Sequence, residues 1–184
     1  MRRLIKVSNE DQILPCYRNT PIEQLFKYHN FGYPFEKHTK AELLVGMCMD
    51  NRKQLSIPGN FAYIIRSGGG NLRNSEFKVS YAVAIGGVNC IALIGHNNCG
   101  MVNIISKKDS FIEGLVKNAG WDARQAEAHF MSLAPMFEIE DEVEFLLSET
   151  KRLRERYPKV MVAPLFYMVE ENLLYLIDEE DTNR

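Results

Sequence analysis

Three side chains suited to holding a metal ion fall at the ends of two apolar runs. Cys48 follows the run 43–47, while His96 and Cys99 follow the run 91–95 as His96-Asn97-Asn98-Cys99. Short apolar runs of this kind read as buried strands, and two such strands lying side by side bring the three residues together. Two thiolates and one imidazole are the ligand set of a catalytic zinc site whose fourth position stays open. Asp50 and Arg52, within Cys48-Met49-Asp50-Asn51-Arg52, would sit beside that metal and close enough to pair with each other.

Two thiolates cancel the double charge of zinc, so a bound water is acidified less than under three imidazoles. Asp50 then has two alternative roles. Held off by Arg52, it leaves the fourth position to water and accepts its hydrogen bond, and the resulting hydroxide can attack an electrophilic carbon such as that of carbon dioxide. Released, it becomes the fourth ligand and closes the site. Plainer readings compete: Asp50 and Arg52 as a surface ion pair of little energetic weight, and Cys48 as a small buried hydrophobe. The combination at two predicted strand ends favours the metal site.

The elements that must position these residues are expected to alternate. Thr20-Pro21-Ile22-Glu23 is a helix start with Thr20 as N-cap, and that helix buries Ile22, Leu25 and Phe26 before ending near Asn30. The aromatics Phe31, Tyr33 and Phe35 that follow either pack under the N-terminal arm or wall a site or interface. Residues 61–66 are rich in β-formers, and Ser67-Gly68-Gly69-Gly70 must be loop. This glycine run is not a phosphate loop, because no Gly-Lys-Ser/Thr follows it. Residues 76–86 predict a helix with Phe77, Tyr81, Ala84 and Ile85 on one face, and 90–95 the next strand. Gly100 opens a helical turn through Ile104. Residues 107–140 are less informative, although Asp122 is placed to cap a helix reaching about Leu133. Residues 142–157 form an amphipathic helix, and 160–169 and 173–177 two closing strands joined at Glu170-Glu171-Asn172. Strand, helix and strand with short connections imply a parallel crossover, whose functional groups gather beyond the carboxyl ends of the strands. The fold class expected is α/β, with a central, mostly parallel β-sheet flanked by helices.

With 184 residues and no break in composition, one domain over 1–184 is expected. It divides into a helical arm over 1–40, a metal-site core over 42–105, and a C-terminal helix with closing strands over 140–177. A net charge of −2 with interspersed signs excludes the electrostatic footprint of a nucleic-acid or anionic-membrane binder. No apolar run is long enough to span a membrane, and Arg2, Arg3 and Lys6 lead into polar residues rather than a secretory signal. The four cysteines include no C-x-x-C, so a reducing cytoplasm is expected, with cysteines as ligands or core residues. Cys16 and Cys90 read as structural. His29, His38 and His129 have no partner pattern, and any of them is a candidate proton shuttle at a site mouth.

The motifs together resemble those of the β-class carbonic anhydrases. That family carries Cys-x-Asp-x-Arg after its first strand, here Cys48 to Arg52, and an Arg-Asn-Ala-Gly-like segment after the second, here Arg66-Ser67-Gly68-Gly69. A helical element with a Tyr-Ala pair, here Ser80-Tyr81-Ala82-Val83, leads into Gly-His-x-x-Cys-Gly, here Gly95 to Gly100. The resemblance is continuous over 42–105, with a weaker echo over 158–177. It implies a zinc enzyme, one Zn2+ per chain, hydrating carbon dioxide reversibly to bicarbonate by a zinc-bound hydroxide. Cys48, His96 and Cys99 would be the ligands, Asp50 and Arg52 the catalytic dyad, and Gly100 a backbone approach to substrate. A homodimer or higher oligomer, with the site near the subunit interface, is also implied.

Three departures bear on substrate. Asn51 replaces the serine common in the first motif, the Ser67-Gly70 loop is glycine-rich and more flexible, and the family's substrate-side glutamine has no motif match here, Gln24 and Gln54 being candidates by position alone. Two alternatives follow: hydrolysis of carbonyl sulfide or carbon disulfide at the same site, or a non-catalytic zinc-binding homologue.

Overall fold

The residues that carry the candidate site hang from two adjacent interior strands of a six-stranded sheet. The structure is a computed structural model and describes residues 4–179. Arg2 and Arg3, used above in reading the N-terminus, lie outside the described residues, as do residues 180–184.

In sheet order the strands are β1 (Leu4–Lys6), β6 (Leu173–Ile177), β5 (Met161–Met168), β4 (Cys90–His96), β2 (Leu43–Cys48) and β3 (Ala62–Ser67). The four strands from β5 to β3 run parallel, while β6 and β1 add antiparallel. Every residue of β2 and of β4 is buried. Such strands read as continuous apolar runs because helices or loops cover both faces. The expectation of a mostly parallel α/β sheet matches this arrangement. β1 was not anticipated. Three residues carry no periodicity, and only pairing with β6 makes them a strand.

Helix α1 (Pro21–His29) begins where expected, with the Thr20 hydroxyl accepting from the Ile22 amide at 3.2 Å. Helix α5 (Glu142–Arg156) is capped by Asp141 and buries Leu146, Leu147 and Leu153 against the sheet. Between β4 and α5, the less informative stretch holds two helices, α3 (Lys108–Ala119) and α4 (Ala123–Leu133). Asp122 caps α4, accepting from the Arg124 and Gln125 amides. The helical turn expected from Gly100 starts later, at Ile104.

Helix α2 (Glu76–Ala84) turns its apolar face the opposite way from a core helix. Val79 and Ala82 are its buried residues, whereas Phe77 is 80% and Ile85 71% exposed. The sheet side takes the smaller residues, which allow close approach. Phe77 and Tyr81 project outward next to Tyr63 and Ile64 on the edge strand β3, lining a cavity of about 320 Å3. Of the three aromatics after α1, Phe31 packs on the core, Tyr33 donates to Glu10, and Phe35 meets Tyr28 edge-on. Phe31 follows the packing reading, whereas Tyr33 and Phe35 stay largely exposed.

Candidate metal centre

β2 and β4 are hydrogen-bonded neighbours running in the same direction, so Cys48 and His96 emerge at one edge of the sheet. The chain then turns through Asn98, in the left-handed region at φ 54°, and returns Cys99 toward Cys48. The ligand atoms of Cys48, His96 and Cys99 lie within 4.8 Å of one another, and all three residues are buried. No other group of three His, Cys, Asp or Glu side chains meets this criterion among the described residues.

The hydrogen bonds around the triad leave its donor atoms turned inward. His96 Nδ1 lies 2.9 Å from the Asn97 carbonyl. A carbonyl only accepts, so Nδ1 carries the proton and Nε2 presents a lone pair. That Nε2 is buried and has no hydrogen-bond partner. Such an orphan is costly unless an electrophile completes it. Cys48 Sγ accepts the Gly69 amide at 3.3 Å, and the hydrogen bond from Cys99 holds the Cys48 thiol well below its ordinary range. An orphaned imidazole nitrogen facing two thiols, one held ready to ionise, fits a thiophilic divalent cation such as zinc.

Asp50 points elsewhere. Its carboxylate is gripped by the Arg52 guanidinium, Nε to Oδ1 at 3.0 Å and Nη2 to Oδ2 at 2.6 Å, and accepts the Arg52 amide at 2.9 Å. These bonds hold its carboxyl well below the usual carboxylate range. Arg52 Nη2 also donates to the Asn98 carbonyl at 2.8 Å, tying the first motif to the second. Of the two roles open to Asp50, this geometry displays the one in which the carboxylate is held off the three ligands.

Two cavities adjoin the centre. One, of about 480 Å3, is its mouth and is lined by Cys48, Asp50, Arg52, Asn98 and Gly100. A Cβ at Gly100 would meet nothing within 4 Å, so the chain leaves open space there. The other, of about 290 Å3, is apolar and walled by Gly68, Phe111, Phe130 and Phe137. Met49 and Met101 line both cavities. His129 borders the apolar cavity, whereas His29 and His38 are buried in core contacts, the first stacked on Tyr167 and the second bonded to Tyr28. Burial lowers His29 to about 4. Neither Gln24 nor Gln54 lines either cavity. Cys90 is buried and its thiol pushed up to about 12, in keeping with a structural role. Cys16 is exposed and is not part of the core.

Four contributors escaped sequence reasoning. The glycine run, expected as a flexible loop, forms a buried tight turn whose Gly69 amide reaches Cys48. Arg66 donates to the carbonyls of Cys48, Asp50 and Lys53 and so clamps the whole first motif. Glu170, read as part of a turn, accepts from both Asn97 and Asn98 and fixes the loop between His96 and Cys99. Lys53 is fully buried, its Nζ without a hydrogen-bond partner. A charged residue directly after an Arg-containing motif looks like surface, and nothing local signals otherwise.

No protein-family model matches the chain, and no curated protein matches it in sequence. Solved structures do match in shape. The β-carbonic anhydrase isoform I of Trichomonas vaginalis superposes with a TM-score of 0.63 at 18% identity, covering 90% of this chain and 99% of its own. The carbonic anhydrase of Glaciozyma antarctica gives 0.61 at 21%, covering 90% and 99%. The apo form of a carbon disulfide hydrolase gives 0.54 at 18%, covering 89% and 91%. The fold is that of the β-carbonic anhydrases. At these identities the likeness speaks to the fold alone.

Proposed function

We propose that this chain is a zinc-dependent carbonic anhydrase acting as one domain, with Cys48, His96 and Cys99 as metal ligands and Asp50 and Arg52 as the catalytic pair. The observation that carries the reading is the buried Cys-His-Cys cluster with its orphaned His96 Nε2. Bound zinc would supply the Lewis acidity that makes water a nucleophile near neutral pH, able to add to the carbon of carbon dioxide. The protein's part is positional. Arg52 keeps Asp50 off the ligand cluster, and the remaining lone pairs of the Asp50 carboxylate accept a hydrogen bond from the reacting water and orient it. The Asn97 carbonyl fixes the His96 ring, and Glu170 fixes the loop that leads from it to Cys99. Gly100 lets substrate approach the backbone at the mouth, and Met49 and Met101 present an apolar rim that suits an uncharged gas.

That rim also favours a second reading. The apolar cavity behind the methionines suits carbonyl sulfide or carbon disulfide, and one structural neighbour is a carbon disulfide hydrolase. A non-catalytic zinc-binding protein is the third. We further propose a homodimer or higher oligomer built on the exposed face of Tyr63, Ile64, Phe77 and Tyr81, because an unpaired edge strand with an apolar surface invites a second copy. All four cysteines are free, which supports a reducing, cytoplasmic setting.

The test is stopped-flow hydration of carbon dioxide on protein of known zinc content, beside Asp50→Asn and assays with the two sulfur gases. One zinc per chain, hydration rising with pH, and its loss in Asp50→Asn with zinc retained support the proposal. Turnover of a sulfur gas alone selects the second reading, and zinc without any turnover the third. Absence of zinc binding refutes all three.

A further inference from the structure

Lys53 has no conventional reason to be where it is. Its side chain is fully buried, and Nζ finds no hydrogen-bond partner. Buried ammonium groups are normally paired, because taking the charge out of water is expensive. Arg66, not Lys53, donates to the backbone carbonyls of Cys48, Asp50 and Lys53. What remains is the field of the neighbouring charged groups. Burial lowers the ammonium's pKa, Cys48, Asp50 and Cys99 oppose that shift, and Arg66 adds to it. Two of these groups lie on the first-motif segment, one on the second-motif loop and one on β3.

Charge balance at the centre then becomes informative. Two thiolates cancel a divalent cation, and Asp50 cancels Arg52. A centre so neutralised attracts an anion to its open position only weakly. Lys53, the residue directly after Arg52, returns one positive charge within the low-dielectric surroundings of the thiolates. We propose that Lys53 is an electrostatic positioning residue, a buried cation that raises the affinity of the metal centre's open position for monovalent anions. The inference rests on the metal-centre reading above, but not on which gas is turned over. Coupling of this kind is reciprocal, so an anion at the open position in turn favours the protonated lysine.

The test uses the full chain loaded with cobalt(II), whose visible spectrum reports ligation, and azide as the anion probe. Wild type is compared with Lys53→Met, Lys53→Gln and Lys53→Arg. The two neutral variants bind one cobalt with an unchanged thiolate spectrum, and their azide affinity falls on the order of tenfold. That is the effect of one unit charge within roughly 10 Å at an effective dielectric of about 20. Lys53→Arg keeps affinity within about threefold of wild type. The rise of hydration with pH also moves about one unit upward in the neutral variants. Unchanged azide affinity in cobalt-loaded Lys53→Met or Lys53→Gln overturns the inference. So does equal weakening in all three variants, which would assign the effect to shape. Wild type that takes up no cobalt or zinc refutes the metal-centre reading and this inference with it. Metal and azide binding without turnover refutes only the enzyme.

Discussion

Replacing Gly69 with alanine attacks the metal centre from behind, without touching a ligand. Gly69 has φ 64°, and a Cβ built on it would lie 2.2 Å from Ile139 Cδ1. Its amide donates to Cys48 Sγ at 3.3 Å, so any shift of the turn is felt at a candidate ligand. The left-handed backbone costs an alanine roughly 1–2 kcal/mol. Forcing a methyl into the packed contact with Ile139 adds about 1–2 kcal/mol, the lower part of the usual overpacking cost because the clashing atom ends a flexible side chain. Gly69→Ala should therefore lose about 2–4 kcal/mol in urea unfolding of the metal-free protein. At about 2–4 °C per kcal/mol for a chain of this size, Tm falls by about 4–16 °C. Ile139→Val deletes the clashing carbon. On its own it costs about 0.5–1.5 kcal/mol, and combined with Gly69→Ala the total should come to less than the sum of the two. Gly100→Ala is the control: with nothing within 4 Å of its Cβ, its stability change stays within about 0.5 kcal/mol. A Gly69→Ala protein as stable as Gly100→Ala would refute the packing and the backbone argument together.

Three further outcomes are expected. His29 is depressed to about 4 by burial, so its contribution is present above its unfolded pKa near 6.5 and is lost as pH falls toward 4. Wild type should lose about 3 kcal/mol over that window relative to His29→Phe, which keeps the ring on Tyr167; equal pH dependence of the two would refute it. Asp50 is likewise depressed, by Arg52, so its contribution is intact above the ordinary carboxylate pKa near 3.9 and lost below it. The stability gap between metal-free wild type and Asp50→Asn should hold constant down to about pH 4 and then narrow, and a gap that closes above pH 5 contradicts the ion pair. Phe77→Glu places a charge in the centre of the exposed apolar face while leaving the monomer's core intact. Sedimentation should show a smaller assembly than wild type, and an unchanged assembly would move the interface elsewhere.

Local pattern reaches a specific part of this protein. Cys48, His96 and Cys99 could be read because each stands at or just beyond the end of a strand that is apolar throughout, and parallel strands expose their ends at one edge. The caps of α1 and α4 were legible for a similar reason: Thr20 and Asp122 bond to amides two or three residues away. The outward face of α2 was not, since periodicity reports that a helix has an apolar side but not which surface that side meets. Nor were the supports of the site. Gly69 reaches Cys48 across 21 positions, Arg66 reaches it across 18, and Glu170 reaches Asn97 across 73. The role of Asp50 lay between these cases: sequence separation of two allows it to pair with Arg52 or to turn to the metal. The tertiary structure displays the pair, because Arg52 is itself anchored on the Asn98 carbonyl of the other motif. Composition and spacing by themselves determined the α/β class with its mostly parallel sheet and the three candidate ligands, because apolar runs and the residues at their ends are set by neighbours along the chain. Which groups hold those ligands in place, and the burial of Lys53 beside them, only tertiary structure decided, because those contacts join segments that nothing in the linear sequence brings together.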